Sequence, residues 1–238
     1  MTGLLVSVRD GDEAQAAIRG GADLIDVKEP DRGSLGAADP LAWEEIARVV
    51  DDCLPLSVAL GEILDAETPA RVNCVKQVAS IRFAKVGLAG CLDRDDWQDR
   101  WMCAHESLPT SVQHVAVAYA DWMNARSPEP HTILSSAAQR GCRVLLLDTF
   151  DKRSGQLFDY MNLVELNEFA CEARACDVKL VLGGSLSLET SRVAMTCKPA
   201  YIAVRSAVCI GSRKGRVDEL LVRRLAQAIN EQSKVPNA

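Results

Sequence analysis

Three ionisable side chains lie within or directly after short apolar segments, where a folded chain would bury them. They are Lys28, Lys85 and Asp148, and Lys152 follows Asp148 by four residues. Burial and neighbouring positive charges lower the pKa of a lysine, so that its amine becomes neutral nearer to physiological pH. A neutral amine attacks a carbonyl carbon to give a Schiff base. The pattern therefore indicates carbonyl chemistry.

Each of these side chains also has a structural interpretation. Lys28 alone fits equally well as a strand-end lysine that pairs with Asp26 or Glu29. Lys85 interrupts an apolar segment, so its charge needs a partner inside the fold. If Lys28, Lys85 and Asp148 converge, the cluster can hold both an acid and a base near neutral pH. The alternative is a purely structural lysine–aspartate pair.

A second group of residues predicts a phosphate site. Gly184 and Ser185 follow the seventh apolar segment, and Arg205 and Ser206 follow the eighth. Glycine lets the backbone approach an anion, and an arginine can clamp phosphate oxygens with two parallel N–H groups. Residues 211–214 add further donors and positive charge nearby. An ordinary turn with a helix cap is the competing interpretation.

The elements that must position these residues alternate along the whole chain. Short segments that are apolar on both faces are typical of strands in a parallel sheet, and amphipathic helical patterns separate them. The strand segments are 4–8, 24–27, 56–60, 83–88, 115–119, 144–147, 179–182 and 202–204. Eight such units in 238 residues predict a single (β/α)₈ TIM barrel, one catalytic domain over residues 1–238.

A doubly wound open sheet is the alternative fold, but the expected G-x-G-x-x-G after the first strand is absent. In a (β/α)₈ barrel the active site lies at the carboxyl ends of the strands. All the residues singled out above fall at such ends. The turn-rich segment 30–37 follows Lys28 directly, and we expect it to cover the site as a lid, with a plain connection as the alternative.

Composition excludes several classes of protein. The formal net charge is −6, with 48% hydrophobic and 25% charged residues, which argues against broad nucleic-acid binding. No segment approaches the length needed to cross a membrane, and the first ten residues do not resemble a signal peptide. We therefore expect a cytoplasmic protein without membrane contact. The cysteines and histidines lack metal-ligand spacing, so no metal is predicted. Association into a homo-oligomer stays open.

The motifs together resemble one enzyme family over nearly the whole chain. The chain is similar to the (5-formylfuran-3-yl)methyl phosphate synthases of methanofuran biosynthesis in the segments LIDVKEP at 24–30, GSLGA at 33–37, KVGL at 85–88, LDT at 147–149 with Lys152, and VR at 204–205. Glu29, Asp31 and Arg32 depart from the family in the first loop. The DVK block with GSLGA is specific, whereas KVGL alone would not be.

The resemblance implies a (β/α)₈ barrel that condenses two glyceraldehyde 3-phosphate molecules into a furan aldehyde phosphate, with loss of phosphate and water. It further implies a Schiff-base lysine at Lys28, proton transfer by Lys85, Asp148 and Lys152, and no metal or organic cofactor. Ser206 stands where glycine is expected in archaeal members. That departure, with the many cysteines, suggests a bacterial, methylotroph-type member.

Two other functions fit the same residues. A class I aldolase-like barrel would use the Schiff base to make an acyclic product from a triose phosphate. A non-catalytic sugar-phosphate-binding protein would use the lysines only as structural or binding groups. The near-ultraviolet absorbance of a furan product would distinguish the synthase from the aldolase-like enzyme. The trapping of an imine would distinguish either enzyme from the non-catalytic protein.

Overall fold

The structure is a computed structural model that describes residues 1–233. Its eight strands are β1 Gly3–Val8, β2 Leu24–Val27, β3 Leu56–Glu62, β4 Ile81–Gly87, β5 Gln113–Tyr119, β6 Val144–Asp148, β7 Lys179–Leu182 and β8 Tyr201–Val204. They form a closed parallel barrel in chain order, in which β8 pairs with β1 through Leu5 and Ala203. The predicted single (β/α)₈ barrel is confirmed.

Helices connect the strands and cover the barrel. They are α1 Gly11–Gly20, α2 Pro40–Val50, α3 Thr68–Cys74, α4 Trp97–Glu106, α5 Trp122–Ala125, α6 Pro130–Gln139, α7 Leu157–Tyr160, α8 Leu163–Ala175, α9 Leu188–Met195 and α10 Glu219–Ser233. Short 3₁₀ helices occupy Pro30–Arg32, Val75–Gln77 and Ser206–Val208. The short helices α5 and α7 were not predicted, because one turn carries too little periodicity to be recognised.

Local sequence signals fix the ends of the helices. Helix α1 begins after Asp10, whose side chain accepts a hydrogen bond from the Glu13 N–H at 2.9 Å. It ends at Gly21, which adopts a left-handed conformation with φ of +94°. An aspartate cap and a glycine stop are the residues that these backbone positions favour. Helix α8 likewise starts with a capping box formed by Asn162 and Glu165.

The core has two layers because strand side chains alternate between the two faces of the sheet. Outward residues such as Leu4, Val6 and Ile25 pack beneath the helices. Inward residues fill the barrel itself, among them Leu24 and Val115. Charged side chains gather toward the carboxyl ends of the strands, where Asp26, Lys85 and Asp148 are buried. The barrel thus provides a rigid apolar base for a polar mouth.

A buried ion pair ties β8 to the start of the chain. Both terminal nitrogens of Arg205 donate to the carboxylate of Glu13, at 2.8 and 3.1 Å. The same guanidinium also donates to the carbonyl oxygens of Ser7, Arg213 and Gly215 at 2.9, 2.6 and 3.1 Å. An arginine has five N–H donors, and here all of them are used within the protein. Arg205 therefore holds the β8 loop against β1 and α1.

No helix in this described part of the chain combines the length and the apolar character that crossing a bilayer demands.

Replacing Glu13 tests the strength of this connection. Glu13→Gln leaves the Arg205 charge buried without a counterion, so we expect unfolding free energy to fall by about 3 kcal/mol. The control is Glu219→Gln, since Glu219 pairs with Arg19 at a side-chain exposure of 31% against 1% for Glu13. Exposed pairs contribute about 1 kcal/mol or less. Denaturant unfolding of both variants measures the difference, and equal losses would contradict the assignment.

The same variant predicts a pH dependence. Burial alone would raise the pKa of Glu13, but hydrogen bonds and charges from Arg205 and Arg9 outweigh it and hold this pKa below its ordinary value. A lowered pKa means that the carboxylate stabilises the fold above the ordinary glutamate range and loses that effect as pH falls. The difference in unfolding free energy between wild type and Glu13→Gln should therefore become smaller below about pH 4.

Candidate active site

The carboxyl ends of alternate strands bring the predicted residues together. Lys28 follows β2, Lys85 lies near the end of β4, and Asp148 is the last residue of β6; their exposed fractions are 8%, 3% and 4%. Lys152 reaches the same place from the β6 loop. The four side chains line one depression at the barrel mouth. Strand alternation places them there, because inward positions of neighbouring even-numbered strands meet in common layers.

Lys85 pairs with Asp26, not with Asp148. Its ammonium forms a buried ion pair with the Asp26 carboxylate and donates to the Ser57 hydroxyl at 3.0 Å. The Ser7 hydroxyl donates to the second Asp26 oxygen at 3.1 Å. Burial alone would raise the pKa of Asp26, but the positive charges of Lys85 and Lys28 lower it. This carboxylate therefore stays charged and holds Lys85 in place.

Asp148 belongs to a second ion pair on the opposite side of Lys28. Its carboxylate pairs with the Lys152 ammonium and accepts from the Thr149 N–H at 2.9 Å and the Ser34 hydroxyl at 3.2 Å. Burial opposes ionisation, yet the charges of Lys152 and Lys28 hold the pKa of Asp148 well below its ordinary value. Burial also lowers the pKa of Lys152, so this pair combines a fixed carboxylate with an amine that gives up its proton more easily.

Lys28 lies between these two ion pairs. No acceptor within residues 1–233 takes a hydrogen bond from its amine, so the structural interpretation of a pair with Asp26 or Glu29 is not what the structure shows. Burial lowers the pKa of Lys28 to about 8, Lys152 and Lys85 lower it as well, and only Asp148 and Asp26 raise it. A substantial fraction of this amine is thus neutral near pH 8.

The segment 30–37, which the sequence predicts to be a lid, packs against the β6 end of the barrel mouth, and its role as a lid stays a prediction. The backbone of Glu29 donates to the Gly36 carbonyl at 2.8 Å, which closes the segment on itself. From its centre, the Ser34 hydroxyl donates to the Thr149 carbonyl at 2.8 Å as well as to Asp148. Ser34 and Leu35 are buried. These contacts fasten the segment to the β6 end.

The predicted phosphate residues meet at the β7–β8 side of the mouth, but their roles differ. Gly184, Ser185 and Ser206 line the depression, and their backbone N–H groups have no acceptor in the described chain. Gly184 and Ser185 have positive φ of 92° and 56°, which turns the backbone toward the mouth. Arg205 also lines it, but its donors are already occupied as described above. It cannot clamp an anion, as the sequence predicted, without breaking those bonds.

Arg213 takes the position that the sequence assigned to Arg205. Its side chain lines the depression and donates, among the described residues, only to the Gly33 carbonyl at 3.3 Å. Burial lowers its pKa, and Asp148 opposes that effect. The Arg205 side chain donates to the Arg213 backbone carbonyl. This contact holds the loop in the position in which the Arg213 guanidinium lines the depression. The sequence placed Arg213 only among supporting donors.

Sequence reasoning missed three contributors to the site, Asp26, Ser57 and Ser34. Asp26 precedes Lys28 by two residues on one strand, so the period of two already places both side chains on the same face. That signal was sufficient to predict it. Ser57 and Ser34 carry no such signal, because only the closed barrel brings them beside Lys85 and Asp148.

The fold and the mouth together define a (β/α)₈-barrel protein in which a buried lysine amine, without a hydrogen-bond partner among the described residues, lies among further cationic side chains. A family model described as 4-HFC-P synthase matches residues 4–226. A relative from Methanopyrus kandleri named (5-formylfuran-3-yl)methyl phosphate synthase is 32% identical, covering 95% of this chain and 98% of the relative. One of the same name from Methanocaldococcus jannaschii is 33% identical, covering 94% and 98%. The chain belongs to the (5-formylfuran-3-yl)methyl phosphate synthase family.

These relatives are archaeal, so the comparison gives no support to the expected bacterial, methylotroph-type member, and that expectation is withdrawn. Among solved structures, phosphoribosyl anthranilate isomerase from Thermotoga maritima has a TM-score of 0.67 at 15% identity, covering 97% of this chain and all of the other. 3-Hexulose-6-phosphate synthase from Salmonella typhimurium gives 0.67 at 12% identity with the same coverage. At such identities the likeness concerns the fold alone.

The surroundings of Lys28 predict its reactivity. We expect competitive acetylation followed by mass spectrometry to show labelling of Lys28 with a midpoint near pH 8, with exposed Lys76 as an internal reference for the reagent. In Asp148→Asn the midpoint should move below that of the wild type, because the carboxylate is the largest influence that favours the charged amine. A Lys28 midpoint in the ordinary lysine range near 10.4 would contradict this picture.

Proposed function

We propose that this chain is a Schiff-base synthase that condenses two glyceraldehyde 3-phosphate molecules into (5-formylfuran-3-yl)methyl phosphate, with loss of phosphate and water, in methanofuran biosynthesis. The observation that carries the proposal is the Lys28 amine, buried between two ion pairs and without an acceptor of its own. The names of the family relatives supply the product class. The chemical class that follows is a carbon–oxygen lyase acting on phosphates.

The reaction starts at Lys28. Its neutral amine attacks the aldehyde carbon of one triose phosphate, and loss of water gives an iminium ion. The positive nitrogen withdraws electrons from the neighbouring carbon, so a base can remove the proton there. The resulting enamine expels phosphate from the adjacent carbon or attacks the aldehyde of the second triose. A hydroxyl group then attacks a carbonyl carbon to close the ring, and elimination of water gives the furan. Hydrolysis of the imine releases the Lys28 amine and leaves the aldehyde of the product.

Each of the two ion pairs contains a lysine that can transfer protons. The Lys152 amine, with its lowered pKa, lies beside the fixed Asp148 carboxylate and can give or take a proton. Lys85 uses two contacts, to Asp26 and Ser57, and an ammonium group has three donors, so one N–H remains for the substrate. Both carboxylates keep the amines in place while protons move.

The phosphate group of the triose on Lys28 fits the β7–β8 side of the mouth. The free N–H groups of Gly184, Ser185 and Ser206 and the Arg213 guanidinium offer hydrogen bonds to its oxygens. Ser206, where glycine was expected, contributes its backbone N–H as a glycine would. The three lysines and Arg213 outnumber the two carboxylates of the depression, which favours an anionic substrate.

An imine trap tests the covalent step. We expect borohydride reduction in the presence of glyceraldehyde 3-phosphate to leave a stable adduct on Lys28, and the reaction without borohydride to build near-ultraviolet absorbance from the furan. Lys28→Ala should abolish both, while Lys76→Ala, at an exposed position, should abolish neither. An adduct with an acyclic product would support an aldolase-like enzyme. Binding of triose phosphate without any adduct would support a non-catalytic protein.

The phosphate site gives a separate prediction. Arg213→Met removes charged hydrogen bonds to phosphate, which should raise KM for glyceraldehyde 3-phosphate roughly 10-fold or more. Lys214→Met is the matched control, because Lys214 is exposed and pairs with Asp31 at 2.5 Å. Steady-state kinetics of furan formation measure both. An unchanged KM in Arg213→Met would remove this residue from the phosphate site.

A further inference from the structure

A second polar pair occupies the side of the barrel mouth opposite the phosphate residues. The Tyr119 hydroxyl, at the end of β5, donates to one Glu62 carboxylate oxygen at 2.6 Å. The Ala89 N–H donates to the other oxygen at 2.9 Å. Glu62 is the last residue of β3 and is partly exposed, whereas Tyr119 is completely buried. A buried hydroxyl thus fixes a carboxyl group that still reaches the mouth.

Gly87 makes room for this pair. A Cβ atom at Gly87 would collide with both the Glu62 carboxylate and the Tyr119 hydroxyl. Gly87 is also the register partner of Glu62 and lies two residues beyond Lys85 on the same strand. Strand β4 therefore has no side chain at the position above Lys85, and the Glu62 carboxyl occupies that space.

The pair is close to the reacting groups but has no part in the steps above. Tyr119 is the register partner of Asp148, so their side chains leave neighbouring strands toward the same face. In the closed barrel, β3 to β5 lie across the mouth from β7 and β8. A triose held by its phosphate at β7–β8 and by its carbon at Lys28 leaves the β3–β5 side for the second triose. The Glu62 carboxyl lies on that side of the barrel, against Gly87 of β4.

Burial raises the pKa of Glu62 above the ordinary value, and the Tyr119 and Ala89 hydrogen bonds oppose this rise. Three other titratable groups face it: Asp65 from the β3 loop, Tyr119 from β5 and Cys91 from the β4 loop. Arg71 of α3 lies nearby but pairs with Glu67 and Asp65. Glu62 thus holds a proton more readily than an exposed glutamate and has no positive partner of its own.

We propose that Glu62 is a further acid of this reaction, positioned by Tyr119, and that it protonates the hydroxyl group that leaves the second triose as water. This inference rests on the proposed function. In the step, the carbon–oxygen bond breaks, its electron pair leaves with oxygen, and the Glu62 proton completes the water molecule. The Tyr119 O–H and the Ala89 N–H then stabilise the new carboxylate. The proton that the lysine base removed from carbon restores the balance through solvent.

Glu62→Gln keeps the size of the side chain and an acceptor for Tyr119 but cannot give up a proton. We expect kcat for furan formation to fall roughly 100-fold, the usual loss on removing a general acid. The Lys28 adduct should still form at the wild-type rate, and mass spectrometry should show an acyclic condensation product that has not lost its last water. A Glu62→Gln enzyme with the kcat of wild type would overturn the inference.

Tyr119→Phe tests the positioning role, and it also serves if Glu62→Gln does not fold. Removing the hydroxyl removes a contact that lowers the pKa of Glu62, so this pKa should rise. The acid form then persists to higher pH, and the alkaline limb of the kcat profile should move to higher pH. The control is Tyr201→Phe, at the other end of the barrel, which should leave the limb in place. An unmoved limb in Tyr119→Phe would contradict the role.

The same experiments distinguish a wrong proposed function from a wrong role of Glu62. If wild type produces no furan at any pH, the proposed function is wrong and the role of Glu62 falls with it. If wild type produces furan but neither variant changes kcat or its pH limb, only the role of Glu62 is wrong. An intact Lys28 adduct in every variant shows that the barrel mouth itself is preserved.

Discussion

One charge imbalance at the barrel mouth shapes the candidate site, where three lysines meet two ionised carboxylates. Each carboxylate takes one lysine, Asp26 with Lys85 and Asp148 with Lys152. Lys28 has no hydrogen-bond partner among residues 1–233, and burial together with Lys152 and Lys85 lowers its pKa to about 8. An uncompensated buried charge is expensive, so this amine loses its proton more easily than an exposed lysine does. The imbalance thus supports the nucleophilic role that we propose for Lys28.

The apolar barrel below the mouth makes this imbalance tolerable. Inward residues such as Leu24 and Val115 pack in the interior below the mouth, so the ion pairs rest on a largely apolar base. The Arg205–Glu13 pair has the same effect on the β8 side, because it fixes the loop that carries Arg213. A rigid support for the reacting groups removes the reorganisation that would otherwise oppose the reaction.

The two sides of the barrel mouth differ in the groups that they present to a substrate. Free N–H groups and Arg213 on the β7–β8 side attract an anion. The β3–β5 side presents the Glu62 carboxyl, a group that favours hydroxyls over phosphates. Under the proposed function, a triose phosphate on Lys28 would have its phosphate on this cationic side. This asymmetry follows from which strands carry the glycines and which carry the carboxyl group.

The sequence by itself determined the barrel and most of its reacting groups. Alternation of apolar segments with helical patterns is a local property, and eight repeats leave few ways to close a parallel sheet, so Lys28, Lys85, Asp148 and Lys152 were found from their places at strand ends. Asp26 could have been predicted from the same period of two. The tertiary structure decided the partners: Lys85 pairs with Asp26 and not with Asp148, Arg205 binds Glu13 while Arg213 lines the depression, and Ser34 of the 30–37 segment contacts Asp148. These pairings join residues up to 192 positions apart. Strand order and alternation give the level of a residue in the barrel, but which charge meets which depends on side-chain packing across the closed mouth, and no local pattern records that.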